Sequence, residues 1–316
     1  MSEDPRSLVY RLINNIRRVI VGKDEAIELA LIALLCKGHV LIEDVPGVGK
    51  TTLAASLAKS LDCTFGRIQF TPDVMPSDVT GFTMCNMQTG EMEYKPGAVM
   101  VQVLLADEIN RTSPKTQSSL LEVMEEGQVT VDGTTYQLPQ PFMVLATQNP
   151  IDFVGTYPLP EAQMDRFFLR IRIGYPTIEE EMDVLGRHTG QESPLKALGP
   201  VCGTREVLDM QSQVGAVYSS PEARSYVATI AAHTRQHPAL QLGVSPRGTI
   251  ALLRAAQACA VLAGRDYVLP DDVRHMALPV LCHRLILTPE ARMKGMTAEQ
   301  LMNEVLLSVS VPGKVS

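Results

Sequence analysis

The chain has 316 residues, of which 45% are hydrophobic and 20% charged, and its formal net charge at pH 7 is −7. This length predicts two packed domains of an ordinary globular protein. No run approaches the about 18 apolar residues of a membrane-spanning helix, and the acidic balance disfavours nucleic acid, whose non-specific binding needs a basic field. With no apolar signal core near the N-terminus, we expect a cytoplasmic protein that makes no membrane contact.

The first half of the chain begins with an amphipathic pattern and then alternates short apolar runs with helical patterns. Leu8, Leu12, Ile16 and Val19 recur at helical spacing, which predicts a packing helix. The alternation that follows predicts a parallel α/β sheet, with strands covered on both faces. These strands are predicted at His39–Ile42, Arg67–Phe70, Val101–Ala106, Phe142–Thr147 and Phe168–Ile173.

The second half has a different character, because the segment Gly174–Pro176 ends the alternation. Thr177–Glu180 has the spacing of a capping box, which starts a helix. From there we predict helices and no strand, near residues 178–187, 204–214, 221–236, 246–264, 270–285 and 290–308. The predicted organisation is therefore an α/β nucleotide-binding core over residues 1–176 and an all-helical lid over residues 177–316.

The segment Leu41–Thr52 leads from a buried strand through a glycine-rich turn into a helix. Gly47 and Gly49 allow backbone N–H groups to surround a phosphate at the positive end of that helix. Lys50 can reach the β- and γ-phosphates, and the Thr51 hydroxyl can bind Mg²⁺. A plain glycine turn with a solvated lysine is the alternative, and the next motif argues against it.

A second motif places two acids at the end of the strand within Val103–Arg111. In a parallel sheet this strand end lies beside the phosphate loop. Asp107 would hold Mg²⁺, and Glu108 would polarise the attacking water, so the chain is equipped to hydrolyse a nucleotide. The phosphate loop itself departs from the general pattern, because Asp44 stands where that pattern has glycine.

Three further polar residues are candidates for sensing or stabilising the transferred phosphate. Asn149 follows the fourth strand, where an amide could align the water. Arg166 precedes the fifth strand, and Arg247 begins a lid helix, from which it could reach the nucleotide. Each also has a plain interpretation: an Asn-Pro turn, a surface ion pair and an exposed arginine at a helix start.

Two hairpins are predicted within the core. Phe82–Pro96 has a turn near Gly90. Gln128–Leu138 has a two-residue turn at Asp132–Gly133, which pairs Val129 with Tyr136. Both could be stabilising hairpins or surfaces for a partner.

In combination, these motifs resemble the AAA+ superfamily and, within it, the MoxR family of the helix-two-insert branch. The segments that resemble the family are Leu41–Thr51, Phe70–Asp78, Leu105–Arg111, Glu122–Val129 and Leu159–Phe167, with Ser245–Arg247 in the lid. The resemblance implies that Asp44 is usual at its position and that the two hairpins point into a ring, towards a client.

The resemblance also implies a role for each candidate residue. Glu108, Asn149 (sensor one), Arg166 (arginine finger) and Lys50 would be catalytic. The cofactor ATP would contact Val21, Gly22, Pro46, Gly47, Val48, Gly49, Lys50, Thr51, Thr52, Asp107 and Arg247 (sensor two). Mg²⁺ would be held by Thr51 and Asp107.

The implied function is Mg²⁺-dependent ATP hydrolysis by a hexameric ring of identical chains. The resemblance couples it to chaperone-like remodelling, assembly or metal-cofactor maturation of a client protein, for which a protein with a von Willebrand A domain is the expectation. Two alternatives stay open at this point: a nucleic-acid or magnesium-chelatase-like motor subunit, and a nucleotide-dependent binding switch with little turnover.

Overall fold

A five-stranded parallel sheet forms the centre of the first half of the chain, and its strands lie side by side in the order Phe65–Gln69, Val103–Asp107, Met143–Gln148, Val40–Glu43 and Leu169–Ile171. The computed structural model describes residues 5–149, 155–187 and 193–312. The strands of the sheet are β1 (Val40–Glu43), β2 (Phe65–Gln69), β5 (Val103–Asp107), β8 (Met143–Gln148) and β9 (Leu169–Ile171). The predicted α/β fold is confirmed, and the strand ends differ from the predicted ones by one or two residues.

The sheet is stable because alternate residues of its strands enter two separate hydrophobic cores. Ile42 and Leu105 pack into one core, and Leu41 and Leu104 pack into the other. Continuous apolar runs are typical of such doubly covered parallel strands. The prediction that both faces are covered was wrong for β2, an edge strand whose Phe65 is 37% exposed.

Helices and two hairpins complete the first half of the chain. The hairpin strands are β3 (Gly81–Cys85), β4 (Met92–Pro96), β6 (Gln128–Val131) and β7 (Thr134–Gln137). The helices are α1 (Pro5–Arg17), α2 (Asp24–Leu35), α3 (Lys50–Ser60), α4 (Pro76–Thr80), α5 (Pro114–Glu126) and α6 (Glu161–Met164). Val129 pairs with Tyr136 as predicted. Tyr136 also stacks on Tyr94 at 4.0 Å between ring centroids, so the two hairpins touch.

The second half of the chain is a helical lid, and its described residues include one small strand pair. Its helices are α7 (Ile178–Arg187), α8 (Thr204–Ala216), α9 (Pro221–Gln236), α10 (Pro246–Leu262), α11 (Pro270–Leu281), α12 (Pro289–Met293) and α13 (Ala298–Ser308). The strands β10 (Leu240–Leu242) and β11 (Ile286–Leu287) pair antiparallel.

Three sequence predictions for the lid need correction. The prediction of no strand after residue 176 was wrong, because strands of two or three residues are too short to show alternation. The helix predicted over 270–285 ends at Leu281, and a short 3₁₀ turn follows it. The helix predicted over 290–308 is two helices, separated where Gly295 adopts a φ of 72°. Among the described residues, no helix is both long and apolar enough to cross a membrane.

A buried arginine joins the lid to the sheet. Arg284 is 7% exposed, and its guanidinium donates to the Asp165 carboxylate at 2.7 Å. It also donates to the backbone carbonyls of Phe167 at 2.6 Å and Phe168 at 3.1 Å, just before β9. A buried cation is tolerated only when it is paired and hydrogen-bonded in this way.

Replacing this arginine should destabilise the protein strongly. We expect Arg284→Ala to lower the free energy of unfolding by about 3–5 kcal/mol, because it breaks a buried ion pair and leaves carbonyls unpaired. Urea denaturation measures the change. The control is Arg17→Ala, which removes a 2.6 Å ion pair to Asp24 between exposed side chains and should cost about 1 kcal/mol or less. Equal losses in the two variants would contradict this role of Arg284.

Candidate nucleotide-binding site

The loop between β1 and α3 has the backbone of a phosphate cradle. Gly47 and Gly49 have φ values of 88° and 92°, the left-handed region that glycine adopts most readily. No atom lies within 4 Å of the point where either would place a Cβ, so the glycines border open space. Helix α3 begins at Lys50, and its first turn, which includes Thr51 and Thr52, offers unpaired N–H groups to an anion.

Lys50 lies among carboxylates at the start of α3. Its ammonium donates to the backbone carbonyl of Asp44 at 2.8 Å. Burial lowers the pKa of Lys50, and the negative charges of Asp107, Asp44 and Glu108 oppose that shift. The lysine therefore lies where the phosphate loop meets the two acids of the second motif, as a site for a polyphosphate requires.

Asp44 connects the phosphate loop to the start of the lid. Its carboxylate accepts the backbone N–H groups of Ile173 and Gly174, each at 2.6 Å, and of Val45 at 2.9 Å. The side chain is nearly buried. A glycine at this position, as in the general pattern, could make none of these three bonds.

The two acids of the second motif are held by one hydroxyl at the carboxyl end of β5. Thr147, on the neighbouring strand β8, donates to the Asp107 carboxylate at 2.6 Å and accepts the backbone N–H of Glu108 at 2.8 Å. Arg67 pairs with the other oxygen of Asp107 at 2.7 Å. The position of both acids thus depends on a fully buried threonine.

Glu108 has a strained backbone and a restrained carboxylate. Its φ of 57° lies in the left-handed region, which costs a residue with a Cβ about 1–2 kcal/mol. Its carboxylate accepts from Gln69 at 2.9 Å and pairs with Arg111 at 3.0 Å. Strain of this kind is concentrated at functional sites, where the surrounding structure maintains it.

Asn149 directly follows β8, which lies between β5 and β1 in the sheet. It is 6% exposed. The structure therefore places it between the strand that ends in Asp107 and the strand that leads into the phosphate loop, as predicted from the sequence.

A cavity of about 260 Å³ adjoins the phosphate loop. Its lining is mostly aliphatic, which suits a flat heterocyclic base. Residues that line it include Val21, Lys23, Gly47, Val48, Gly49, Thr52, Pro176 and Val184. Of the three residues Val21, Gly22 and Pro46, all predicted to contact ATP, only Val21 lines this cavity.

Gly22 has a packing requirement of its own. Its φ is 67°, and the Glu180 carboxylate occupies the space that a Cβ would take. Glu180 pairs with Lys23 at 3.1 Å, which closes helix α7 onto this segment. Glycine is needed here for the close approach of α7.

The two candidate arginines lie together, far from the phosphate loop. Arg166 and Arg247 both pair with Glu125, the first at 3.2 Å. They border a second cavity, of about 230 Å³, together with Gly38 and His39. Those two residues precede β1, so this cavity lies at the amino edge of the sheet. The phosphate loop lies at the carboxyl edge, one strand length of about 13 Å away.

This placement corrects the prediction for Arg247. The sequence suggested that it reaches the nucleotide from the lid, but it does not line the cavity beside the loop of its own chain. The physical reason is the packing of α10 against α2, α8 and α11. The Ser245 hydroxyl, at the start of α10, donates to Asp165 at 2.9 Å, which fixes Arg247 next to Arg166.

Several residues of the site were not found from the sequence. Gln69 is the last residue of β2 and Thr147 the second-last of β8, both at the carboxyl edge, and that position is the signal that could have identified them. Glu125 lies near the end of α5 among other glutamates, and no local pattern distinguishes it.

Fold and site together define a P-loop protein of the AAA+ class, with a nucleotide-binding core and a lid. Comparison with known sequences agrees. The family described as "ATPase family associated with various cellular activities (AAA)" matches residues 39–169, and "AAA lid domain" matches residues 232–305.

Individual relatives narrow the assignment. The chain is 53% identical to the uncharacterized protein YeaC of Bacillus subtilis, over 98% of this chain and 97% of that one. It is 40% identical to chaperone MoxR1 of Mycobacterium tuberculosis, over 96% of this chain and 82% of that one. A crystal structure of a candidate ATPase from Cytophaga hutchinsonii superposes with a TM-score of 0.91 at 39% identity, covering 97% and 96% of the two chains. The chain belongs to the MoxR family of AAA+ ATPases.

The shared hydroxyl of Thr147 offers a test of the site. We expect Thr147→Val to lower the rate of nucleotide hydrolysis about 10–100-fold, because misplacing catalytic groups by about 1 Å has that effect. Nucleotide affinity, measured by titration with a fluorescent analogue, should change little. Thr147→Ser keeps the hydroxyl and should retain most of the activity. Equal activity of the valine and serine variants would contradict the role of the hydroxyl.

Proposed function

We propose that this chain is a Mg²⁺-dependent ATPase whose active sites form between copies, in a ring of six. The observation that supports this most directly is the separation of the arginines from the phosphate loop. Arg166 and Arg247 lie at the amino edge of the sheet, whereas Lys50 and Glu108 lie at the carboxyl edge. A single copy thus has both parts of a hydrolytic site and cannot bring them together.

The residues at the carboxyl edge fit ATP and Mg²⁺ chemically. The open glycine cradle and Lys50 suit the phosphates, and the aliphatic cavity that includes Val21 suits the adenine. Thr51 and Asp107 offer the oxygen ligands that Mg²⁺ prefers. When bound, the metal neutralises charge on the phosphates and aligns them. Asp44 would hold the phosphate loop against the backbone that leads into the lid while the nucleotide binds.

Hydrolysis would depend on Glu108 and Asn149. The Glu108 carboxylate would orient a water molecule for attack on the terminal phosphate and accept its proton. The Asn149 amide would hold that water from the adjacent strand end. Thr147 would keep Glu108 and Asp107 in place, as its two hydrogen bonds indicate.

The arginine pair would complete the site of a neighbouring copy. Negative charge that develops on the transferred phosphate is stabilised by arginine, an effect of about 10³–10⁵ in rate where it is known. Glu125 holds both guanidiniums in the isolated chain. A phosphate of the neighbouring copy would compete with this carboxylate for Arg166 and Arg247.

We propose that the energy of hydrolysis remodels a client protein. Support comes from the relative named as a chaperone, MoxR1 of Mycobacterium tuberculosis. The two touching hairpins, Gly81–Pro96 and Gln128–Gln137, are the proposed contact with the client. A client with a von Willebrand A domain, and a part in the assembly or metal-cofactor maturation of that client, belong to the same proposal.

A second candidate, a binding switch with little turnover, is favoured by one observation. Both Gln69 and Arg111 engage the Glu108 carboxylate, so it must be released before it can activate water. Stoichiometric ATP binding by the assembled protein, with no phosphate release, would support this alternative over the ATPase.

Mixing two inactive variants tests whether sites are shared. Lys50→Ala should abolish ATP binding, and Arg166→Ala should lower turnover about 10³-fold or more. Mixed one to one, the variants should recover about a quarter of wild-type phosphate release, because a random ring puts an intact loop beside an intact arginine at that frequency.

The matched control is a mixture of Lys50→Ala with Glu108→Gln. Both defects then lie on the phosphate-loop side of the site, so mixing should restore nothing. Arg247→Ala in place of Arg166→Ala should complement Lys50→Ala as well. If neither arginine variant complements Lys50→Ala, or if Arg166→Ala and Arg247→Ala are both fully active, sites are not shared between copies.

A further inference from the structure

Helix α7 presents its apolar face to solvent. Ile178, Met182 and Leu185 are 80%, 67% and 64% exposed. Their spacing places all three on one side of the helix, where they form a continuous stripe. We refer to these three residues as the α7 stripe. An amphipathic helix of a single chain normally buries such a face, and an exposed one indicates an interaction site.

The side of the helix opposite the stripe carries Glu180, Val184 and Arg187 and is attached to the rest of the chain. Glu180 pairs with Lys23 at 3.1 Å. Arg187 donates to the backbone carbonyls of Arg17 and Arg18, at 2.7 and 2.9 Å. These contacts set the rotation of the helix, so the outward direction of the stripe follows from bonds within the chain.

A surface of complementary character lies on helix α10. Arg247, Ile250 and Arg254 share one side of that helix, and Ile250 is 63% exposed. This α10 face is apolar at its centre and basic at both ends. The α7 stripe is flanked by two exposed glutamates, Glu179 on one side and Glu181 on the other. The two surfaces therefore match in both apolar character and charge.

We propose that the α7 stripe of one copy packs against the α10 face of a second copy. The inference rests on the proposed sharing of sites. Val184, on the side of α7 that faces its own chain, lines the cavity beside the phosphate loop, and Arg247 lies on the α10 face itself. A copy that brings Arg247 to its neighbour's nucleotide therefore brings α10 towards α7. The contact joins two different surfaces, which is the geometry of rings.

A lysine in the stripe tests the contact. Leu185→Lys places a cation against the basic α10 face under the proposed pairing and should weaken assembly about tenfold or more, as loss of a central apolar contact does. The matched control is Leu307→Lys, because Leu307 is also helical and 80% exposed. Assembly is measured by sedimentation velocity with ATP, with Glu108→Gln in both chains to prevent turnover. Binding of a fluorescent ATP analogue to the dilute chain should be unchanged by Leu185→Lys.

A charge reversal identifies the partner surface. Arg254→Glu alone should weaken assembly, and Arg254→Glu combined with Leu185→Lys should recover at least part of the loss, because opposite charges then face each other. Equal assembly of Leu185→Lys and Leu307→Lys would overturn the proposal. A loss with Leu185→Lys that Arg254→Glu neither reproduces nor repairs would overturn the pairing with α10. Complementation between Lys50→Ala and Arg166→Ala is independent of these results and tests the shared site separately.

Discussion

The carboxylate of Asp44 is the interaction on which the nucleotide site and the lid both depend. It accepts three backbone N–H groups, one in the phosphate loop and two where the sheet ends and the lid begins. Hydrogen bonds to an ionised acceptor are among the stronger ones in proteins. A phosphate loop that closes on an anion is thereby connected, through one side chain, to the backbone that leads into α7.

A second constraint acts at the opposite edge of the sheet. The Asp165 carboxylate accepts hydrogen bonds from Arg284 and Ser245, both of the lid. Asp165 directly precedes Arg166 in the chain. The same lid therefore determines where Arg166 and Arg247 lie with respect to each other. Because the sheet stands between these arginines and the phosphate loop, no rearrangement of side chains alone can bring the two parts of one chain together.

The sequence was sufficient for the features that depend on local chemistry. Buried strands are continuous apolar runs, and the turn at Asp132–Gly133 accepts left-handed backbone, so the sheet and the β6–β7 hairpin were predicted correctly. The phosphate loop and the paired acids were found because strand, glycine turn and lysine occur in order. The arrangement of the lid was not predictable, since the position of Arg247 depends on the packing of α10 against α2. Thr147 and Glu125 act through partners distant in the chain, at separations that no local pattern records.

Because the lid is attached at both edges of the sheet, it would couple the nucleotide sites of neighbouring copies in an assembly. Each lid would be connected to two nucleotide sites. Asp44 would connect it to the site of its own chain, and Arg247 to the site of an adjacent copy. Because the first link leaves from one edge of the sheet and the second from the other, a copy would be coupled to its two neighbours through different contacts, and the ring would have a defined direction. Such a lid would couple the nucleotide states of two successive copies, and that coupling is a requirement for ATP hydrolysis in sequential order around a ring.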